Sequence, residues 1–249
     1  MIDSLVSQQI LNNLYHQTSE IEALRQTFAT EQMVRFPDLL QPRVLTALQA
    51  EVTRLEAVSV VNRFYSQGAN TPRFLRGVGG STILEQSTLL AALYIHYELW
   101  QLVAQIVDAP IYRSSHEQEF IGVNYLLGEG DTQGWHLDDN AYTLIIFTET
   151  PPVQMGGAVE CIFDWHQQAA PLGWADGHPV APFVATLRQA GQVTAHSFSS
   201  GEAYLLRADK TMHRVTPLAG KGRRTVVGMS YESTATPVYT NLVTGIYDM

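Results

Sequence analysis

Three residues of this chain have types and spacing suited to metal chemistry. In Gly134-Trp135-His136-Leu137-Asp138, His136 and Asp138 stand two apart, after a glycine-rich turn and before an apolar run. Side chains at i and i+2 of an extended strand project to the same face. An imidazole nitrogen and a carboxylate oxygen can therefore be offered to one point. A second histidine, His213, opens another β-prone run much later in the chain. Two histidines and one carboxylate on one face of a metal leave three positions open, the arrangement suited to non-haem Fe(II) oxygen chemistry. The alternative for an isolated His-x-Asp pair is a hydrogen-bonded strand end. Past His213, a turn at Arg214-Val215-Thr216-Pro217 leads into Arg223-Arg224-Thr225-Val226-Val227-Gly228. An arginine opening that next antiparallel strand can lie across from the histidine, and its planar guanidinium can hold a dicarboxylate through paired hydrogen bonds. Strict alternation puts Arg224, Val226, Gly228 and Ser230 on one face, with small residues leaving room. Arg223 is the other candidate.

These residues need a rigid frame, and the second half of the chain supplies its pattern. Short β-prone runs at 120–127, 142–148, 158–163, 193–198, 203–207, 212–215 and 225–231 are separated by the turn signals GEGDTQG, PPVQMGG, SSGE and AGKG. This spacing predicts an antiparallel sandwich or barrel. The first hundred residues read as helical in three pieces, 2–14, 42–57 and 84–107, where apolar residues recur mainly at spacings of three and four. Residues 66–81, SQGANTPRFLRGVGGS, read as a loop that carries Arg73 and Arg76. No linker separates the two halves, so the expectation is an α+β fold in one domain, 1–249. Residues 1–110 form a mainly helical buttress on one face of the sheet, and 111–249 form the sheet with an insertion at 164–191.

Taken as a set, His136-x-Asp138, the distal His213, the following arginine and the order of helices then strands resemble the Fe(II)/2-oxoglutarate-dependent dioxygenases. The resemblance covers about residues 118–233. It implies a double-stranded β-helix, a jelly-roll-like, cupin-type barrel, with Fe(II) held by His136, Asp138 and His213. It also implies 2-oxoglutarate as cosubstrate, O₂ as oxidant, and succinate and CO₂ as products. Arg224 is expected to clamp the cosubstrate. Asn124 and Tyr125 lie on the strand where this superfamily often places polar groups that contact it.

GWHLDDN, an apolar strand and a GGAVE turn resemble the branch of small free-amino-acid halogenases and hydroxylases. Halogenases of that branch carry Gly where this chain has Asp138, because chloride must take the carboxylate's place on the metal. Asp138 therefore implies a hydroxylase. In the same branch Arg73 would meet a substrate carboxylate, with Arg76 as the alternative, and Glu119 and Asp139 would meet ammonium groups. A free amino acid is thus the expected small-molecule substrate. The alternatives are a larger natural-product or carrier-bound substrate, or a non-catalytic cupin-like binding protein. The chain departs from the lysine halogenases at Gly228 and Ser230 and in its C-terminal GIYDM, which lacks their tryptophans, so lysine itself is the less secure part of the expectation.

Composition narrows the classes further. With 15 Lys+Arg against 24 Asp+Glu, the formal charge is −9, and such a surface repels phosphate backbones and anionic lipid. Neither nucleic acid nor membrane is an expected partner. A lone cysteine, Cys161, makes no internal disulfide or multi-thiolate zinc site and reads as a small buried hydrophobe. The N-terminus has no basic start and no long apolar core, so a cytoplasmic protein is expected. The pairs Asp164/His166 and Asp176/His178 sit in the insertion, which reads as a lid or packing segment over the barrel mouth rather than a second metal site.

Overall fold

The computed structural model describes residues 8–239 and Tyr247. Its helices are α1 (Thr18–Glu31), α2 (Pro42–Leu55), α3 (Gly80–Gln86), α4 (Thr88–Tyr94), α5 (Tyr97–Val107), α6 (Trp165–Ala169) and α7 (Ala181–Gln189). Its strands are β1 (Met33–Phe36), β2 (Val60–Tyr65), β3 (Pro72–Val78), β4 (Tyr112–Arg113), β5 (Ile121–Leu126), β6 (Thr132–His136), β7 (Tyr142–Glu149), β8 (Val159–Ile162), β9 (Thr194–His196), β10 (Ala203–Arg207), β11 (Met212–Val215) and β12 (Arg224–Glu232). All strand pairs are antiparallel. The strand order is β1-β10-β7-β12-β5-β3-β6-β11-β8-β9, with β2 on β3 and β4 on β12. The sheet curls into a double-stranded β-helix preceded by helices, as the resemblance implied.

Period-two alternation explains how this sheet separates structure from chemistry. On β12, Val227, Met229 and Tyr231 join the main core, whereas Arg224, Val226, Gly228 and Ser230 line a cavity. On β5, Ile121, Val123 and Tyr125 face the core, and Gly122 and Asn124 face the cavity. Strands β7 and β10 repeat the division. The core side is closed by α1, α2, α4 and α5. Helix α2 begins at Pro42, whose fixed φ suits a first helical position, and buries Val44, Leu48, Val52 and Leu55.

Local pattern and structure differ in several places. Residues 2–7 of the first helical piece lie outside the described residues, and of 8–14 only Asn13 and Leu14 are helical, within a short 3₁₀ turn, Asn13–His16. The third piece is divided among α3, α4 and α5, interrupted at Ser87, which caps α4, and at His96, which caps α5. Tyr94 is buried there while Tyr97 is exposed. Helix α1 was not anticipated, because it buries only Ile21, Leu24 and Phe28 and is otherwise polar. The segment expected to be a loop at 66–81 contains strand β3, which pairs with β2, β5 and β6. Long-range pairing outweighs its glycine and proline signals. The GEGDTQG turn likewise gives up its last three residues to β6.

Of the two roles expected for the insertion, the described residues show packing. Helices α6 and α7 bury Trp165, Trp174, Val180, Val184 and Leu187 against Trp135, Ile162 and Met212. Trp135 and Met212 each immediately precede a histidine of the triad, so this small core backs the strands that carry it. Glu160 of β8 fastens the layer, accepting both Arg188 nitrogens of α7 (3.0 and 2.7 Å) and Arg214 Nε of β11 (2.6 Å). Cys161 is fully buried, and burial pushes its thiol up to about 12. Among the described residues, no helix is long and apolar enough to cross a membrane.

Candidate active site

Strand register brings the two distant histidines together. On β11, His213 is the direct antiparallel partner of His136 at the end of β6. Asp138 lies just past that strand end, where its backbone N–H donates to Ala208 O (3.2 Å). The ligand atoms of His136, Asp138 and His213 lie within 4.8 Å of one another, the one such cluster among the described residues. Asp138 Oδ1 stands 3.4 Å from His136 Nε2 and 3.6 Å from His213 Nε2.

Both imidazoles are oriented for ligation. His136 Nδ1 lies 2.8 Å from Gly134 O, and His213 Nδ1 lies 2.9 Å from Thr211 O. A carbonyl oxygen can only accept a hydrogen bond, so each Nδ1 carries the hydrogen it donates and each Nε2 presents a lone pair to the centre. Burial, helped by His213 and Arg73, holds His136 well below the usual histidine range, which favours the neutral ligand form. Thr143 Oγ1 donates to Asp138 Oδ2 (2.7 Å), leaving Oδ1 turned toward the histidines. The donor set of two imidazole nitrogens and one carboxylate oxygen fits Fe(II) with open positions.

The cavity beside the triad is lined by Glu119, Asn124, Arg224, Gly228 and Ser230 among others. Of the two candidate clamps, Arg224 enters it. Its side chain is buried, and its Nε has no hydrogen-bond partner. Burial lowers the guanidinium to about 10. A buried cation with an unsatisfied donor is costly unless an anion completes it, and the carboxylate of a dicarboxylic acid is the fitting partner. Arg223 turns outward to Glu149 and Glu56.

The other anticipated residues divide. Glu119 lines the cavity, where burial and the nearby Asp138 and Asp139 raise its carboxyl to about 8. Asn124 lines it too and accepts a hydrogen bond from Tyr247 Oη (3.0 Å). Tyr125 is on the opposite face and donates to Val52 O (2.7 Å), so strand parity removes it from the cavity. Asp139 is half-buried beside the site without lining the cavity. Arg73 is buried on β3, where its Nη1 donates to Thr71 Oγ1, Pro72 O and Gly134 O, and it does not line the cavity. Burial lowers it to about 10. Arg76 bonds Ser59, away from the site.

Residues the sequence reading passed over include Thr143, Asn140 and Tyr247. Alternation along β7 could have drawn attention to Thr143. Asn140 lines the cavity with its Oδ1 buried and unpartnered. Tyr247 lies in the C-terminal GIYDM, which the resemblance marked only for its lack of tryptophans and not as part of the cavity.

A family model described as HalD, Halogenase D, matches residues 16–242 of this chain. No curated protein sequence matches it. Among solved structures, similarity extends to the non-heme alpha ketoglutarate dependent epimerase SnoN from nogalamycin biosynthesis, at 17% identity and a TM-score of 0.66, over 94% of this chain and 88% of that one. AviO1 from Streptomyces viridochromogenes Tue57 is 20% identical with a TM-score of 0.65, over 89% of this chain and 99% of that one. HygX from Streptomyces hygroscopicus, with nickel, 2-oxoglutarate and hygromycin B bound, is 14% identical with a TM-score of 0.57, over 86% of this chain and 88% of that one. At these identities the likeness is one of fold.

Proposed function

Because the chain belongs to the Halogenase D family, whose model spans residues 16–242, we propose that it is an Fe(II)- and 2-oxoglutarate-dependent oxygenase that hydroxylates an unactivated C–H bond of a small molecule. The observation that carries this reading is the convergence of His136, Asp138 and His213 in a cavity that also holds the buried, incompletely satisfied Arg224. His136 Nε2, His213 Nε2 and Asp138 Oδ1 would hold the metal, and Arg224, with Asn124 nearby, would hold the far carboxylate of 2-oxoglutarate. Bound there, iron with 2-oxoglutarate and O₂ supplies an oxidant that takes hydrogen from carbon, releasing succinate and CO₂. The family name suggests halogenation, but Asp138 supplies the ligand whose place a halide needs, so oxygen transfer is the proposed outcome.

The protein's own part is orientation and exclusion of water. Glu119 would face a cationic group of the substrate, and Asp139 would add negative charge behind it. A free amino acid satisfies this demand, with Arg73 or Arg76 for its carboxylate. Neither arginine lines the cavity, however. A second reading is therefore a larger natural-product substrate, favoured by the natural-product context of SnoN and by the hygromycin B bound to HygX. Residues 1–249 are read as one catalytic domain.

The test is succinate formation in air after anaerobic loading with Fe(II) and 2-oxoglutarate, with free amino acids and amine-bearing natural products supplied singly. Succinate rising with one compound, together with the mass gain of one oxygen atom on it, identifies reaction and substrate class. His136→Ala and Asp138→Ala should each lower this turnover by at least about a thousandfold while circular dichroism stays unchanged. Undiminished product in either variant rules out the ligand assignment.

A further inference from the structure

The open volume beside the triad is about 80 Å³. A water occupies about 30 Å³ of liquid, and pockets for small molecules usually measure about 300–1,000 Å³. Tyr247 narrows this cavity, lining it at the end formed by Gly122 and Asn124.

Two glycines far apart in sequence make room for it. Gly122 lies in β5, where a strand gains nothing from glycine, and Gly79 precedes α3 with φ −87°. Neither has a left-handed backbone that would call for glycine. At Gly122, a Cβ would find three nearest neighbours that are all atoms of Tyr247, with Oη at 2.7 Å and Cζ at 3.1 Å. At Gly79, a Cβ would meet Tyr247 Cβ at 2.6 Å, as well as Gln118 Oε1. The missing side chains are thus sockets for one aromatic ring. The ring's hydroxyl donates to Asn124 Oδ1 (3.0 Å), on the same strand face as Gly122.

The chain leading to this ring is tied down eight residues earlier. Tyr239 Oη donates to Glu232 Oε1 (3.1 Å) and accepts from Ser115 N (3.0 Å), and its ring meets His116 edge-on with centroids 5.0 Å apart. Eight residues can span up to about 28 Å, so a chain held at Tyr239 can reach the cavity with Tyr247.

We propose that Tyr247 is a specificity-determining residue, the wall that sets how far a substrate extends beyond the metal centre, with Gly79 and Gly122 as its sockets. This rests on the oxygenase reading for the existence of a substrate, but the wall itself can be tested without one. Removing the ring leaves a cavity shaped for a phenol, and such a cavity binds small aromatic molecules that the filled site rejects.

The experiment is calorimetric titration of p-cresol into the full-length chain and its variants. Tyr247→Gly should bind p-cresol at least tenfold more tightly than wild type. Tyr247→Phe should resemble wild type, and the double variant Gly122→Val/Tyr247→Gly, with one socket filled, should lose the gain. Equal binding by wild type and Tyr247→Gly overturns the proposal. The second arm follows succinate formation with unbranched amino acids of increasing side-chain length. Tyr247→Gly should move the optimum outward by at least two atoms, and Tyr247→Phe should leave it in place. An unmoved optimum overturns the specificity role while the oxygenase reading stands. If wild type with Fe(II) and 2-oxoglutarate lacks the weak visible charge-transfer band of a chelate, the oxygenase reading falls, and with it the substrate role of the wall.

Discussion

Strands β5, β7, β10 and β12 lean on the N-terminal helices through the large core that includes Leu48, Leu144, Val227 and Met229. Strands β6, β8 and β11 lean instead on the smaller core of the insertion, built around Trp165 and Trp174 and fastened by Glu160. The first half presents Arg224, Asn124 and Gly122 to the cavity, and the second presents His136 and His213. The two halves of the cavity thus rest on two supports. The helices back the walls that carry Arg224 and Asn124, while the insertion backs the strands that carry His136 and His213.

The largest effect that would break this comparison lies on the helix-backed half. Arg224→Gln should weaken 2-oxoglutarate binding by about 10- to 100-fold, the loss expected for a charge-assisted hydrogen bond, with Arg223→Gln within about twofold of wild type. Calorimetry on the metal-loaded protein measures both. Equal losses would mean that the outward Arg223 also serves the cosubstrate.

Trp165→Ala and Leu48→Ala sharpen the contrast between the supports. Both side chains are fully buried, and each truncation should cost about 2–5 kcal/mol of stability. Only Trp165→Ala should also weaken Co(II) binding, by about tenfold, as disturbed outer support of a metal site does. Parallel denaturant and metal titrations separate the two effects. Equal metal affinities would show that the insertion stabilises the fold without setting the centre.

The smallest effect concerns Glu119, which lines the cavity just before β5. Its carboxyl is raised from the ordinary 4.5 to about 8, so the folded state holds a proton that the unfolded chain releases. That contribution is fully present below about pH 4.5 and is lost as pH rises through about 8. Glu119→Gln keeps the neutral form at all pH values. Its melting temperature should therefore gain on wild type between pH 6 and pH 9, by about 2–4 °C. Parallel pH dependence in the two proteins would place the raised group elsewhere.

Much of the architecture was legible because it rests on short-range repetition. The runs at 120–127, 142–148, 203–207, 212–215 and 225–231 all became strands, since alternation reports which face is buried. Helix α2 was legible for the same reason at helical period. Strand β3 was not, because its partners β5 and β6 come more than forty residues later and override its local glycine and proline signals. Helix α1 carries too narrow an apolar stripe to stand out.

What the sequence determined by itself was the chemistry on offer: His136 and Asp138 two residues apart, a second histidine, adjacent arginines, and an alternation that put Arg224 on one face with Val226, Gly228 and Ser230. Tertiary structure alone decided which of these meet. Register across β6 and β11 set His213 opposite His136, the burial of β3 took Arg73 out of the cavity lining, and the return of the chain to Gly79 and Gly122 put Tyr247 in it. The physical reason is one of range. Side-chain direction along a strand follows from local backbone geometry, whereas contacts between remote segments depend on register and packing that no short window of sequence contains.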